Sequence, residues 1–101
     1  MEEIKEEWFQ RTIYVNHIRE VNDYFVILEK PKVVSRKTSI YEIYEKNTTG
    51  CLLGEIKWYG AWRKFCFFPN EKTIWDTKCL TKITEFLDKT NKEYREEMKR
   101  K

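Results

Sequence analysis

Bulky and polar residues interchange from Ser39 to Lys46, SIYEIYEK, and a run so rich in β-formers predicts a strand. Upstream, Tyr24 to Glu29, YFVILE, is a compact β-rich run that Pro31 ends or bends. Downstream, NTTG at 47–50 supplies turn chemistry, with Gly50 free to take a positive φ. Leu52 to Tyr59 and Trp62 to Phe68 read as two more strands joined tightly at Gly60-Ala61, and Pro69-Asn70 stops the sheet. Between residues 12 and 20, Ile13, Val15 and His17 alternate like a strand, but the run is too short to assign.

The period then changes. Leu80, Ile83, Phe86 and Leu87 follow at helical spacing and define one apolar face, which Tyr94 and Met98 continue more weakly. Asp76 or Thr77 caps the start by accepting backbone N–H bonds, and the closing KEYREEMKRK puts cations where a helix C-terminus favours them. Near the other end, Ile4 and Trp8 stand four apart among charges, the stripe of a short helix over residues 2–10. The pattern therefore predicts an α+β fold in one domain, residues 1–101. An N-terminal segment covers 1–20 and an antiparallel three- to four-stranded meander covers 21–75. A C-terminal helix, 76–98, packs on one face.

A two-residue loop at Gly60-Ala61 would set Tyr59 opposite Trp62, Lys57 opposite Lys64, Glu55 opposite Cys66 and Leu53 opposite Phe68. Side chains alternate between faces, so these pairs share one. Trp58 with Arg63, Ile56 with Phe65 and Gly54 with Phe67 share the other, which suits the helix. Tyr59, Trp62, Lys57 and Lys64 then lie on an open face as rings interleaved with cations, a pattern that stacks a nucleobase and meets its phosphate. Arg63 completes the candidate ligand-binding set, although this register turns it towards Trp58. The alternative use of these rings is as core, packed with Trp8 and Phe9 beneath the N-terminal segment. A one-residue slip of register would exchange the two faces.

Composition narrows the chemistry. The 20 Lys and Arg against 17 Asp and Glu leave a net charge of +3, too mild for a polyanion binder to be declared from charge alone. The three cysteines have no close pairing and His17 is the one histidine, so neither zinc nor a disulfide framework is expected. His17 has no patterned serine, cysteine or acid partner, and Cys66 reads as a small buried hydrophobe. Glu42 and Glu45 read as the polar side of their strand. No Gly-rich phosphate loop or paired-carboxylate motif is present, so the sequence points away from an enzyme and calls for no cofactor. MEEIKEEW is acidic where a signal peptide would be basic, and no apolar run nears a span. A reduced cytoplasmic setting follows.

The block LGEIKWYGAWRKFCFFP and the following TIWDTKCLTKITEFL resemble a family of small proteins encoded by phages and prophages of low-GC Gram-positive bacteria. The resemblance spans roughly residues 38–88. It is carried most specifically by Gly54, Ile56, Lys57, Trp58, Tyr59, Trp62, Arg63, Phe65, Phe67 and Pro69. It implies a genomic setting and no mechanism. In that setting three non-enzymatic roles are open. The leading one is sequestration of a nucleotide-like anionic ligand against host defence, with a homo-oligomer completing the pocket. The others are nucleic-acid binding by the same face and inhibition of a host protein.

Overall fold

The computed structural model describes residues 17–31, 38–46 and 51–100. Among these, β1 (His17–Val21), β2 (Phe25–Glu29), β3 (Tyr41–Glu45), β4 (Leu52–Tyr59) and β5 (Lys64–Pro69) precede one helix, α1 (Thr77–Arg100). The strands form a single antiparallel sheet in chain order, β1-β2-β3-β4-β5. This is the α+β meander the pattern predicts, with one strand more. The extra strand is β1, which begins inside the segment set apart as N-terminal. The expected helix at 2–10, the alternation at Ile13 and Val15 and the turn at 47–50 lie outside the described residues.

Turns are fixed by local hydrogen bonds. Between β1 and β2, the Asn22 side-chain oxygen accepts from the N–H groups of Tyr24 (2.8 Å) and Phe25 (3.0 Å), an Asx turn that closes the hairpin without glycine. β1 itself carries an irregularity between Ile18 and Glu20, and such bulges blunt an edge strand.

The opposite edge is blunted differently. Asn70 N–H donates to the Leu53 carbonyl at 2.9 Å, so Phe65, Phe67 and Pro69 turn their backbone groups away from β4. Asn91 of α1 brackets Phe65: its side-chain oxygen accepts the Phe65 N–H at 2.8 Å and its amide donates to the Phe65 carbonyl at 3.2 Å. Pro69 has no N–H to offer. The helix thus pins the edge strand by backbone recognition as well as by packing.

The core lies between one sheet face and α1. Phe25, Ile27, Tyr41, Ile43, Ile56 and Phe65 from the strands meet Ile83 and Phe86 from the helix. Gly54 is required where β4 passes β5, since a Cβ there would stand 2.7 Å from the Phe68 carbonyl oxygen and 2.9 Å from the Phe67 ring. Asp76 starts the helix as expected, its carboxylate accepting the Cys79 N–H at 2.8 Å.

The buried stripe of α1 lacks two predicted members, Leu80 and Met98, both of which are exposed. Ile83 and Phe86 are buried, and Cys79, Leu87 and Tyr94 pack against the core, whereas Leu80 is 43% exposed. Steps of four, three, four and four residues from Cys79 lead through Ile83, Phe86 and Thr90 to Tyr94. The large rings set this line and rotate Leu80 to its edge. Phe86→Ala is therefore expected to cost about 3–5 kcal/mol and Leu80→Ala about 0.5 kcal/mol or less. Equilibrium denaturant melts of the two variants check this, and equal losses would contradict the packing.

Candidate functional site

The β4–β5 hairpin carries every residue of the predicted site. Its loop has four residues rather than two: Tyr59 pairs with Lys64, Trp58 with Phe65, Lys57 with Cys66 and Ile56 with Phe67. The physical reason is the turn. A two-residue hairpin loop needs positive φ at its first position, but here Arg63 supplies the left-handed residue, with φ 55°. The Tyr59 carbonyl accepts from Trp62 N–H (3.2 Å) and Arg63 N–H (2.9 Å), closing the loop. The expected pairs Tyr59–Trp62 and Lys57–Lys64 across the strands are therefore replaced. Trp62 and Arg63 leave the strand for the loop, and Arg63 does not lie beside Trp58 as a strand partner.

The register moves by two residues, so each strand side chain keeps its face. Lys57, Tyr59 and Lys64 stand on the face away from α1. Trp62 reaches the same surface from the loop: its ring meets Tyr59 at 5.2 Å with an interplanar angle of 83°, and Tyr59 meets Phe68 at 6.0 Å and 75°. The result is a row, Trp62–Tyr59–Phe68, held edge to face as aromatic quadrupoles prefer. Trp62 is 66% exposed and Tyr59 38%. These two are surface rings, and the alternative burial beneath Trp8 and Phe9 involves residues outside the described ones.

The cations of the set are not equivalent. Lys57 Nζ stands 3.5 Å from a Glu55 carboxylate oxygen and 4.9 Å from the centre of the Phe68 ring, so its charge is engaged locally. Arg63 and Lys64 are exposed and form no ion pair among the described residues. Phe68 and Glu55 are the members of this surface that the candidate set omitted. Phe68 shares its strand parity with Lys64 and Cys66, which is the signal that could have found it.

Towards the centre of the sheet the same face turns acidic. Glu42 stands opposite Glu55, and like charges in that position repel. Lys57 relieves one, and the Tyr44 hydroxyl donates to Glu42 at 3.1 Å. Burial first, and the Glu42 charge second, push the Tyr44 hydroxyl up to about 12. Further along, Val26 and Leu28 on this face are buried.

The three cysteines are free, and the described residues hold no group of three or more metal-ligating side chains. No described helix is long and apolar enough to cross a membrane.

Fold and hairpin together define a small α+β protein with an exposed aromatic and cationic tip on the sheet face opposite its helix. The chain is 37% identical over 65 residues to an uncharacterized 9.3 kDa protein of Acholeplasma phage L2, an alignment covering 63% of this chain and 81% of that protein. The chain belongs to the family of small phage proteins to which that relative belongs. No protein-family model matches it, and no solved structure does.

The Tyr44 hydroxyl yields a pH dependence with a definite sign. A tyrosine whose folded value is raised contributes fully below its unfolded value and loses that contribution as pH rises. Stability should therefore fall as pH rises from about 10 towards about 12. Tyr44→Phe removes the titrating group, so its thermal melts should decline less over that range than those of the parent chain. Parallel declines would show that other groups set the alkaline limit.

Proposed function

We propose that this protein is a phage-type binding protein without a catalytic step, and that the tip of the β4–β5 hairpin takes a nucleotide-like anionic ligand. The observation that carries the reading is Trp62, an exposed ring braced edge-on by Tyr59 and flanked by Arg63 and Lys64, two cations with no ion-pair partner among the described residues. A base stacked on such a ring gains about 1–3 kcal/mol, while the cations meet its phosphate. Lys57 contributes less, because Glu55 and Phe68 already engage it.

Backbone strain supports the same place. A non-glycine residue in the left-handed region costs roughly 1–2 kcal/mol, and such residues concentrate at functional positions. Arg63 is one of two described non-glycine residues with positive φ, and it sits beside Trp62. Membership in a phage family supports sequestration as the biological use, since a small protein without turnover acts on an infected cell by occupying something. Counter-defence, in the host cytoplasm, is the role we assign.

A second reading shares the tip. The tip lines neither the groove beside Glu29 and Glu93 nor the one beside Tyr24 and Trp75, and small-molecule sites are normally concave. An open tip favours bases carried in a single strand, whereas a free nucleotide needs a second copy of the chain to wall it in.

One set of titrations separates these. Trp62→Ala should leave the melting temperature unchanged and weaken binding about tenfold or more, as loss of one stacked base does. Oligonucleotide binding with steep salt dependence selects the strand, and binding of free nucleotide by a dimeric form selects the enclosed site. Unfolding of Trp62→Ala would make the ring part of the core. A folded variant with unchanged binding would remove the tip from the site, and a host protein captured at equal stoichiometry through Trp62 would make the tip an inhibitor's hot spot.

A further inference from the structure

On the helix side of the sheet, α1 covers β5 and leaves a groove of about 630 Å³ over the ends of β1, β2 and β3, within the size range of small-ligand sites. We propose that this groove binds a cationic group, an ammonium or guanidinium on a slender apolar stem. Its chemistry is opposite to that of the hairpin tip, and it is independent of the function assigned there.

The groove brings three carboxylates together, Glu29 from β2 with Glu93 and Glu97 from α1. Glu29 is already held: Arg19 Nε lies 3.7 Å from one oxygen and the Ser39 hydroxyl donates to the other at 2.7 Å. Arg19, the one guanidinium among the described lining residues, is thereby committed. Glu93 and Glu97 stand one helical turn apart on the opposite wall and have no cation among the described residues.

Thr90 is the independent pointer to a ligand. It is 6% exposed, lines the groove, and its hydroxyl makes no hydrogen bond among the described residues. Two other threonines of α1 return theirs to the preceding turn, Thr81 to the Thr77 carbonyl at 2.8 Å and Thr84 to the Leu80 carbonyl at 2.9 Å. No fully enclosed polar atom among the described residues lacks a partner, so the Thr90 oxygen has access to the groove. A hydroxyl so placed accepts a hydrogen bond from a donor-rich group, and ammonium and guanidinium carry only donors.

The floor suits the stem of such a ligand. Phe65, Tyr41 and Tyr94 supply rings, and Phe65 and Tyr94 are locked edge to face at 5.8 Å. Ring faces attract cations further. Tyr41 remains a neutral donor, since burial and then the Glu29 charge raise its hydroxyl above its ordinary value. An anion would meet three carboxylates against one described guanidinium that Glu29 already engages, so the groove and the hairpin tip select against each other's ligand.

The test is an amide chemical-shift titration of the full chain with agmatine and, separately, with a blocked Gly-Arg-Gly peptide. Shifts should cluster at residues 38–41 and 90–98. Glu93→Gln/Glu97→Gln should raise Kd about tenfold, the scale of two partly exposed ion pairs. Glu85→Gln/Glu96→Gln, with the same change of net charge away from the groove, should leave Kd unchanged. Saturation by agmatine assigns the groove to a free amine, and saturation by the peptide alone assigns it to a cation on a protein. Absence of clustered shifts with both probes, or equal weakening in the two double variants, overturns the proposal.

Discussion

Edge-to-face packing of aromatic rings between the sheet and its helix is the interaction on which everything else depends. Trp58 meets Phe65 edge-on at 5.5 Å and Tyr94 at a 45° tilt at 4.7 Å, and Tyr41 meets Phe86 at 5.1 Å and Phe65 at 6.1 Å, both edge-on. These rings come from β3, β4, β5 and α1, so one cluster ties together the part of the sheet beneath the helix. Each such pair is worth about 0.5–1.5 kcal/mol beyond the area it buries. A second knot, Phe25–Trp75–Phe67 at 6.2 and 4.8 Å, anchors the approach to α1 in the same manner. Both knots use rings on one side of the sheet. Tyr59, Trp62 and Phe68 belong to neither and form their own row on the opposite side of the sheet.

Much of this division was legible in the sequence because strand parity is robust to the error that was made. The loop at Gly60 is longer than expected, yet the register moves by two residues and every ring stays on its predicted face. A move of one would have exchanged core and surface. Trp62 and Arg63 were misplaced because the left-handed turn at Arg63 leaves no mark in sequence, where glycine is the usual sign. Leu80 was misplaced because leucine reads as core by type, whereas the spacing of Ile83, Phe86 and Tyr94 decides the face. The fifth strand was only half visible, since His17–Val21 is short and its alternation is broken by the adjacent Arg19 and Glu20.

The groove was not legible at all, for a reason of distance. Arg19, Glu29, Ser39 and Thr90 lie far apart in the chain, and each alone reads as an ordinary surface residue. Only the meander, which sets Arg19 of β1, Glu29 of β2 and the approach to β3 beside the helix, brings them to one place. The same segregation explains why net charge was a poor guide. A balance of +3 averages a cationic hairpin tip with a carboxylate-lined groove on the other side of the sheet, and the average describes neither.

The central claim is that Trp62 is a surface ring used for binding while Trp58 and Trp75 are core rings used for folding. Fluorine NMR of 5-fluorotryptophan-labelled protein tests it most directly, with resonances assigned by single Trp→Phe variants. The Trp62 signal should show a large H2O/D2O solvent shift and move when a single-stranded oligonucleotide or a nucleotide is added. The Trp58 and Trp75 signals should show little of either. A Trp62 signal insensitive to solvent, or one that stays fixed while ligand binds elsewhere, would contradict the account.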